Sequence, residues 1–282
     1  MKRCGNLDGD MTDNIHLYQV AYDKASLAEV KASGFLVLDN MDNARPDWYE
    51  YWPIRKFLLS ESLEEDDFYG FFSPKFTYKT QMTHDDVCAF IKAENVKNRV
   101  DVALFSPQPD MGANFLNVFE QAEVFDPGFL EAATLFLHSQ DIDVPLGNVV
   151  MDSRQIVYSN YFVARPIFWR QWFLLTEALF AVAEDVSHPL HAQLNFNTTY
   201  ASNANRKVFL SERLASLLLY LHPEFKVAVA NSFGFGWSTA KFRQTPEDTY
   251  INDALKRAFR DTGFPQYMEA FRKQRGKLTG SN

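Results

Sequence analysis

Short apolar runs alternate with longer stretches of helical periodicity along most of this chain, and that alternation limits the fold more than any other feature. Residues 15–22 predict a strand, residues 25–32 a helix and residues 35–38 a second, buried strand, so the chain opens with a β-α-β unit. The alternation continues to about residue 230. It predicts an α/β fold with a mixed, mostly parallel central sheet flanked by helices.

The chain of 282 residues is predicted to form one such domain over residues 15–245, between a polar tail at 1–14 and a helical extension with its own tail at 246–282. The polar tail lacks the apolar core of a signal peptide, which indicates a cytoplasmic protein. Cys4 and Cys88 are the two cysteines, and their wide separation argues against a disulfide framework or a structural zinc site.

The net charge of −8 bears on the class of partner. Because Asp and Glu outnumber Lys and Arg, the summed field repels phosphate backbones, and a nucleic-acid partner is not expected. Aromatic residues are abundant, and in the run at 47–52 they lie beside polar ones. The apolar face of a sugar ring packs on aromatic rings while its hydroxyls bond to carboxylates and amides, so this composition favours a carbohydrate ligand. The alternative is an ordinary Phe-rich core.

Ligand-binding groups are expected where the predicted strands end, since sheets of this kind place ligands beyond the carboxyl ends of their strands. The strand predicted at 68–72 is followed closely by Lys75. The strand predicted at 148–151 is followed directly by Asp152, and a further strand is predicted at 156–163. These polar residues are therefore candidates for a site.

Three segments occur in an order that matches a group of known enzymes: DFYGFFSPKF at 67–76, SNYFVA at 159–164 and FLSERL at 209–214. With them the chain resembles, over roughly residues 15–221, a family of bacterial surface-polysaccharide glycosyltransferases with a GT-A-like fold. The motifs of that family are a strand ending in a basic turn, an Asn-bearing strand leading into an aromatic helix, and a Glu-Arg-Leu helix. The turn here reads Ser73-Pro74-Lys75 in place of a His-Tyr-Arg-Arg type sequence, so donor or acceptor preferences can differ.

The resemblance implies a GT-A-like domain that transfers a sugar from a nucleotide-diphosphate donor to a glycan or lipid-linked acceptor, in the synthesis of capsule, O-antigen or a similar polysaccharide. It also implies work at the cytoplasmic face of the membrane. Residues 256–277, where aromatic residues lie among Arg and Lys, fit a peripheral membrane contact of that kind or, as the alternative, an ordinary packed helix.

Glycosyl transfer needs positive charge or hydrogen-bond donors for the leaving diphosphate and a carboxylate for the acceptor's proton. Asp152 is the predicted base, and a turn or cap carboxylate is the alternative. Lys75 and Arg213 are predicted diphosphate contacts, and a buried structural network is the alternative for Arg213. The other predicted substrate-binding residues lie in the motifs or in the aromatic run: Glu50, Trp52, Tyr69, Ser73, Asn160 and Glu212.

A divalent cation is predicted to be optional. GT-A enzymes commonly hold Mn²⁺ or Mg²⁺ through an Asp-x-Asp after a core strand, and no clear match to that pattern follows a predicted strand. No metal ligand is therefore assigned. Two other functions stay open on the same fold: a carbohydrate-binding protein without catalysis, and a different nucleotide-dependent transferase.

Overall fold

A computed structural model describes residues 14–198, 204–240 and 245–278 of the chain. Most of the polar tail predicted at 1–14, with Cys4, lies outside the described residues, and so does the end of the C-terminal tail. Within the described ranges, no helix has both the length and the apolar character needed to cross a bilayer.

One six-stranded sheet forms the centre of the described structure. Its strands are β1 (Ile15–Ala21), β2 (Leu36–Asp39), β3 (Phe68–Phe72), β4 (Val102–Leu104), β5 (Phe162–Ala164) and β6 (Val227–Val229). They lie in the order β2-β1-β3-β5-β4-β6, and all neighbouring pairs are parallel except the two made by β5. The carboxyl ends of β1, β2 and β3 therefore meet the amino end of β5 at one edge of the sheet. The predicted α/β class with a mostly parallel, mixed sheet is confirmed.

Helices connect the strands and cover both faces of the sheet. In the described ranges they are α1 (Lys24–Ser33), α2 (Tyr51–Ser60), α3 (Phe76–Thr80), α4 (His84–Asn98), α5 (Pro109–Ala113), α6 (Val118–Phe125), α7 (Phe129–Ser139), α8 (Pro166–Glu184), α9 (His191–Leu194), α10 (Arg206–Leu221), α11 (Pro246–Thr262) and α12 (Pro265–Leu278). Two short 3₁₀ turns lie at Pro46–Trp48 and Ser232–Gly234.

Strand β3 shows why the sheet is built at this point of the sequence. All five of its residues are buried, with Phe68 and Phe72 packed on one face and Tyr69 and Phe71 on the other. Gly70 brings β3 close to β5, because a Cβ at this position would lie 2.8 Å from Val163 Cγ2. A strand buried on both faces reads as a continuous apolar run, which is what the sequence has here.

The strand predicted at 148–151 is wrong. This segment is a buried coil whose backbone is held by a side chain, since Asn117 Nδ2 donates to Leu146 O at 2.8 Å and to Val149 O at 2.7 Å. The Asn117 amide thus supplies hydrogen bonds that a neighbouring strand would otherwise have formed. The strand predicted at 156–163 is also too long, because only residues 162–164 join the sheet.

The C-terminal helices α11 and α12 pack against each other and onto the domain. Phe271, one of the aromatic residues considered for a membrane contact, is fully buried, whereas Phe264 is exposed. Lys256 is also fully buried, and its Nζ donates to Gly112 O at 2.7 Å and Phe115 O at 2.8 Å. Much of this segment therefore serves ordinary helix packing.

Candidate functional site

A pocket with a volume of about 460 Å³ lies at the edge of the sheet where β1, β2 and β3 end. Tyr22 follows β1, Asn40 follows β2, Lys75 comes soon after β3, and Asn160 shortly precedes β5; all four line the pocket. Helix α10 adds Glu212. This is the position at which open α/β sheets bind ligands, and the volume is typical of a small-molecule site.

Two lysines supply positive charge to this pocket. Lys75 is exposed at the start of α3, and Lys79, one turn further along the same helix, is half-buried. Lys79 Nζ donates to Ser159 Oγ at 2.9 Å and lies 5.4 Å from the ring centre of Tyr161. Ammonium groups in this arrangement suit an anionic ligand group such as phosphate.

Hydrogen bonds from β1 and from Tyr161 hold the turn that carries Lys75. Gln19 Nε2, from β1, donates to Ser73 O at 3.1 Å and to Pro74 O at 3.3 Å. The hydroxyls of Ser73 and Tyr161 lie 2.5 Å apart. Burial raises the pKa of Tyr161, so its hydroxyl stays neutral and available as a hydrogen-bonding group. The Lys75 backbone is therefore preorganised.

Two carboxylates, Glu50 and Glu212, line the same pocket. The backbone N–H of Ser159 lies close enough to the Glu212 carboxylate to lower its pKa. Burial raises the pKa of Glu212 above its ordinary value of 4.5, and the negative charge of Glu50 adds to the rise, against the opposing charges of Arg213 and Lys79. A carboxylate with a raised pKa inside a ligand pocket is a candidate for proton transfer.

An ion-pair network supports the chain just before Glu50. Lys207 is buried, and its Nζ lies 2.7 Å from Asp47 Oδ2. Arg45 Nη2 lies 2.9 Å from the same oxygen and 2.7 Å from Glu184 Oε1. These contacts tie the turn at Pro46–Trp48 to α8 and α10, which fixes the side of the pocket that Glu50 forms.

Two tyrosines form the aromatic part of the pocket wall. Tyr22 and Tyr49 are 47% and 38% exposed, far more than the core aromatic residues, and both line the pocket. Tyr49 has a φ of 47°, a conformation that bulky residues seldom adopt. Their rings can contact a base or a sugar from the pocket rim.

Of the nine residues predicted for the site, the structure brings five into this pocket: Glu50, Ser73, Lys75, Asn160 and Glu212. They come from segments that are far apart in the sequence, and the sheet topology is what assembles them. The remaining four lie elsewhere.

Asp152 is held in a structural ion-pair cluster outside the pocket. Its side chain is fully buried, and its Oδ2 lies 2.6 Å from Arg154 Nη2 and 3.5 Å from Arg260 Nε. Its Oδ1 also accepts from the backbone N–H of Arg154 at 2.8 Å. The strand predicted before Asp152 does not form, so this residue does not lie where β1, β2 and β3 end. Its position is that of a turn carboxylate, the alternative that the sequence left open.

Trp52, Tyr69 and Arg213 also lie outside the pocket. Trp52 is half-buried and stacks on Phe180 of α8. Tyr69 lies near the start of β3, at the edge opposite the pocket, where its hydroxyl accepts from the N–H of Glu64 at 3.0 Å. The guanidinium of Arg213 is buried and donates to three oxygens of the fold: Val118 O at 3.0 Å, Phe209 O at 2.8 Å and Gln121 Oε1 at 2.8 Å.

Sequence reasoning missed Lys79, Asn40, Tyr22 and Tyr49. Lys79 was accessible to prediction, because it lies four residues after Lys75 and so falls on the same face of α3. Asn40 comes two residues after the strand predicted at 35–38 and so carried the same kind of signal as Lys75. Tyr49 lies in the aromatic run at 47–52 but was not singled out there, and Tyr22, the last residue of a predicted strand, carried no signal of this kind.

Within the described ranges, no group of three or more His, Cys, Asp or Glu side chains is arranged to hold a metal ion. Comparison with known proteins finds no match to the chain among protein-family models, curated proteins or solved structures.

Proposed function

We propose that this chain is a glycosyltransferase that moves a sugar from a nucleoside-diphosphate donor to a hydroxyl of a glycan or lipid-linked acceptor. The observation that carries the proposal is the pairing of Lys75 and Lys79 with Glu50 and Glu212 in one pocket at the ligand edge of the sheet. The lysines fit a leaving diphosphate, and a carboxylate fits the proton of an attacking hydroxyl.

The origin of the pocket residues supports a GT-A-like domain of the surface-polysaccharide type. Each of the three segments that carry the resemblance contributes to the pocket: Lys75 from the first, Asn160 from the second and Glu212 from the third. The segments are far apart along the chain, so their convergence on one pocket favours a shared function over chance similarity.

The chemistry can be written as a direct displacement. The acceptor oxygen forms a bond to the anomeric carbon while the bond from that carbon to the diphosphate oxygen breaks. The electron pair leaves on the diphosphate, whose charge Lys75 and Lys79 offset. The hydroxyl proton passes to the carboxylate of Glu212, which is the base in this proposal because its environment raises its pKa.

The residues after β3 do not fit the divalent cation that GT-A enzymes commonly hold. The turn there consists of Ser73, Pro74 and Lys75, which offer no carboxylate oxygen, and the ammonium group of Lys75 repels a cation. In this proposal Lys75 and Lys79 offset the charge of the leaving diphosphate, as the metal ion does in other GT-A enzymes. No step is assigned to a metal.

The test is release of nucleoside diphosphate from a panel of UDP-, GDP-, CDP- and dTDP-sugars, followed by chromatography with and without EDTA. We expect one nucleotide class to be turned over, also in EDTA, and Lys75→Met to lower kcat/KM about a hundredfold. Lys97→Met is the control, since Lys97 is exposed on α4 and pairs with Glu94. Binding of a nucleotide sugar without release would favour a carbohydrate-binding protein instead.

A further inference from the structure

Two asparagines of the pocket wall each have a buried side-chain oxygen that receives no hydrogen bond from the described residues. Asn40 and Asn160 are each 4% exposed, and it is the Oδ1 of each that lacks a donor in this part of the chain. Buried polar atoms in folded proteins are nearly always hydrogen-bonded, and leaving one unpaired costs free energy. Two such acceptors in one pocket indicate a ligand that brings hydrogen-bond donors to both places.

The loop that presents Asn160 is strained. Ser159 and Asn160 have φ values of 58° and 54°, the left-handed region that two consecutive non-glycine residues seldom share. The hydrogen bond from Lys79 Nζ to Ser159 Oγ, at 2.9 Å, supports this conformation. Strain that the surroundings maintain, next to an unpaired polar atom in a pocket, points to a functional role for the loop.

Two carboxylates, Glu212 and Glu50, lie near Asn160, and Glu50 is close enough to raise the pKa of Glu212. The ammonium group beside them, that of Lys79, is hydrogen-bonded to Ser159 Oγ. An amide oxygen and two carboxylates suit hydroxyl groups. They repel a ligand group that is itself a carboxylate.

The order of the strands separates the two asparagines and places a lysine between them. Asn40 follows β2 and Asn160 precedes β5, while Lys75 follows β3, which lies between β1 and β5. Three strand spacings amount to about 14 Å. A ligand that satisfies both asparagines is therefore extended, with donor groups at both ends and an anionic group in the middle.

We propose that Asn160, with Glu50 and Glu212, forms a hydroxyl-recognition subsite for the glycosyl part of the donor, which selects neutral sugars over acidic ones, and that Asn40 serves the nucleoside end. This inference rests on the proposed function. Tyr22 lies on the nucleoside side in this orientation, since it follows β1 and the N–H of Asn40 donates to the neighbouring Ala21 O at 2.8 Å.

The experiment is a calorimetric comparison of UDP, UDP-glucose, UDP-galactose, UDP-N-acetylglucosamine and UDP-glucuronic acid, with GDP and GDP-mannose titrated alongside. For the nucleotide that binds, we expect at least one neutral sugar to raise the affinity about tenfold over the bare diphosphate, and glucuronic acid to give no gain. Asn160→Gly tolerates the left-handed backbone and removes the acceptor, so it should abolish the gain without changing the affinity for the bare diphosphate.

Asn160→Asp is the matched control, because it keeps the shape and the acceptor. It should retain the gain from the neutral sugar and weaken glucuronic acid binding further. A gain that survives in Asn160→Gly, or an equal gain from glucuronic acid, would overturn the subsite while leaving the proposed function intact. Failure of all these ligands to bind, and of CDP and dTDP titrated in the same way, would overturn both.

Discussion

Glu212→Gln is expected to lower kcat of sugar transfer about a thousandfold while leaving the affinity for the nucleoside diphosphate nearly unchanged. The amide keeps the size of the carboxylate, but it cannot take the acceptor's proton. Steady-state kinetics with the identified donor, together with calorimetric binding of its diphosphate, separates the two effects.

The matched control for this variant is Glu131→Gln, an exposed glutamate on α7 far along the chain from the pocket segments, which should keep full activity. If Glu212→Gln transferred sugar at the normal rate, Glu212 would not be the base, and Glu50 would be the next carboxylate to replace.

The same role makes a prediction for pH. A base works when ionised, and the pKa of Glu212 is raised, so activity should fall on acidification at a pH above the ordinary glutamate value of 4.5. Because the charge of Glu50 contributes to that rise, Glu50→Gln should move the acidic limb of the kcat profile to lower pH. A limb that stays in place would show that another group controls it.

Asp152→Ala is expected to lower the free energy of unfolding by about 3 kcal/mol. The substitution removes a fully buried carboxylate from Arg154 and Arg260 and leaves two guanidinium groups with fewer partners. Urea unfolding measures the change. Under conditions where the variant stays folded, transfer should continue, because Asp152 lies outside the pocket.

Asp261→Ala is the control for this second variant. Asp261 pairs with the same Arg154, at 2.8 Å, but its side chain is 56% exposed, so its removal should cost less than about 1 kcal/mol. An Asp152→Ala protein of normal stability that had lost turnover would return Asp152 to a catalytic role.

The strands that form the ligand edge were predictable because their signals are local. The apolar runs at 15–22, 35–38 and 68–72 all became strands. The strand prediction at 148–151 was wrong because a buried coil and a buried strand have the same apolar composition. What separates them is the Asn117 side chain, which is distant in sequence and takes over the backbone hydrogen bonds.

The site was predictable only in part, and Glu212 and Arg213 show why. Successive residues on a helix point about 100° apart, so one of the two faces the pocket and the other the core. The Glu-Arg-Leu motif contains both residues and does not distinguish them. Only the packing of α10 shows that Arg213 is the one that points into the core. The left-handed conformations of Ser159 and Asn160 likewise could not be predicted, because the contact that Lys79 makes with Ser159 comes from a distant part of the sequence.

The measurement that tests the central claim most directly is calorimetric titration of UDP, GDP, CDP, TDP and CMP into the wild-type chain and into the double variant Lys75→Met/Lys79→Met, each with and without Mn²⁺. The account predicts that one nucleoside diphosphate binds selectively, also without Mn²⁺, and that the double variant binds it at least about tenfold more weakly. Lack of binding by every nucleotide, or equal binding by the double variant, would contradict the assignment of this pocket to a nucleotide-sugar donor.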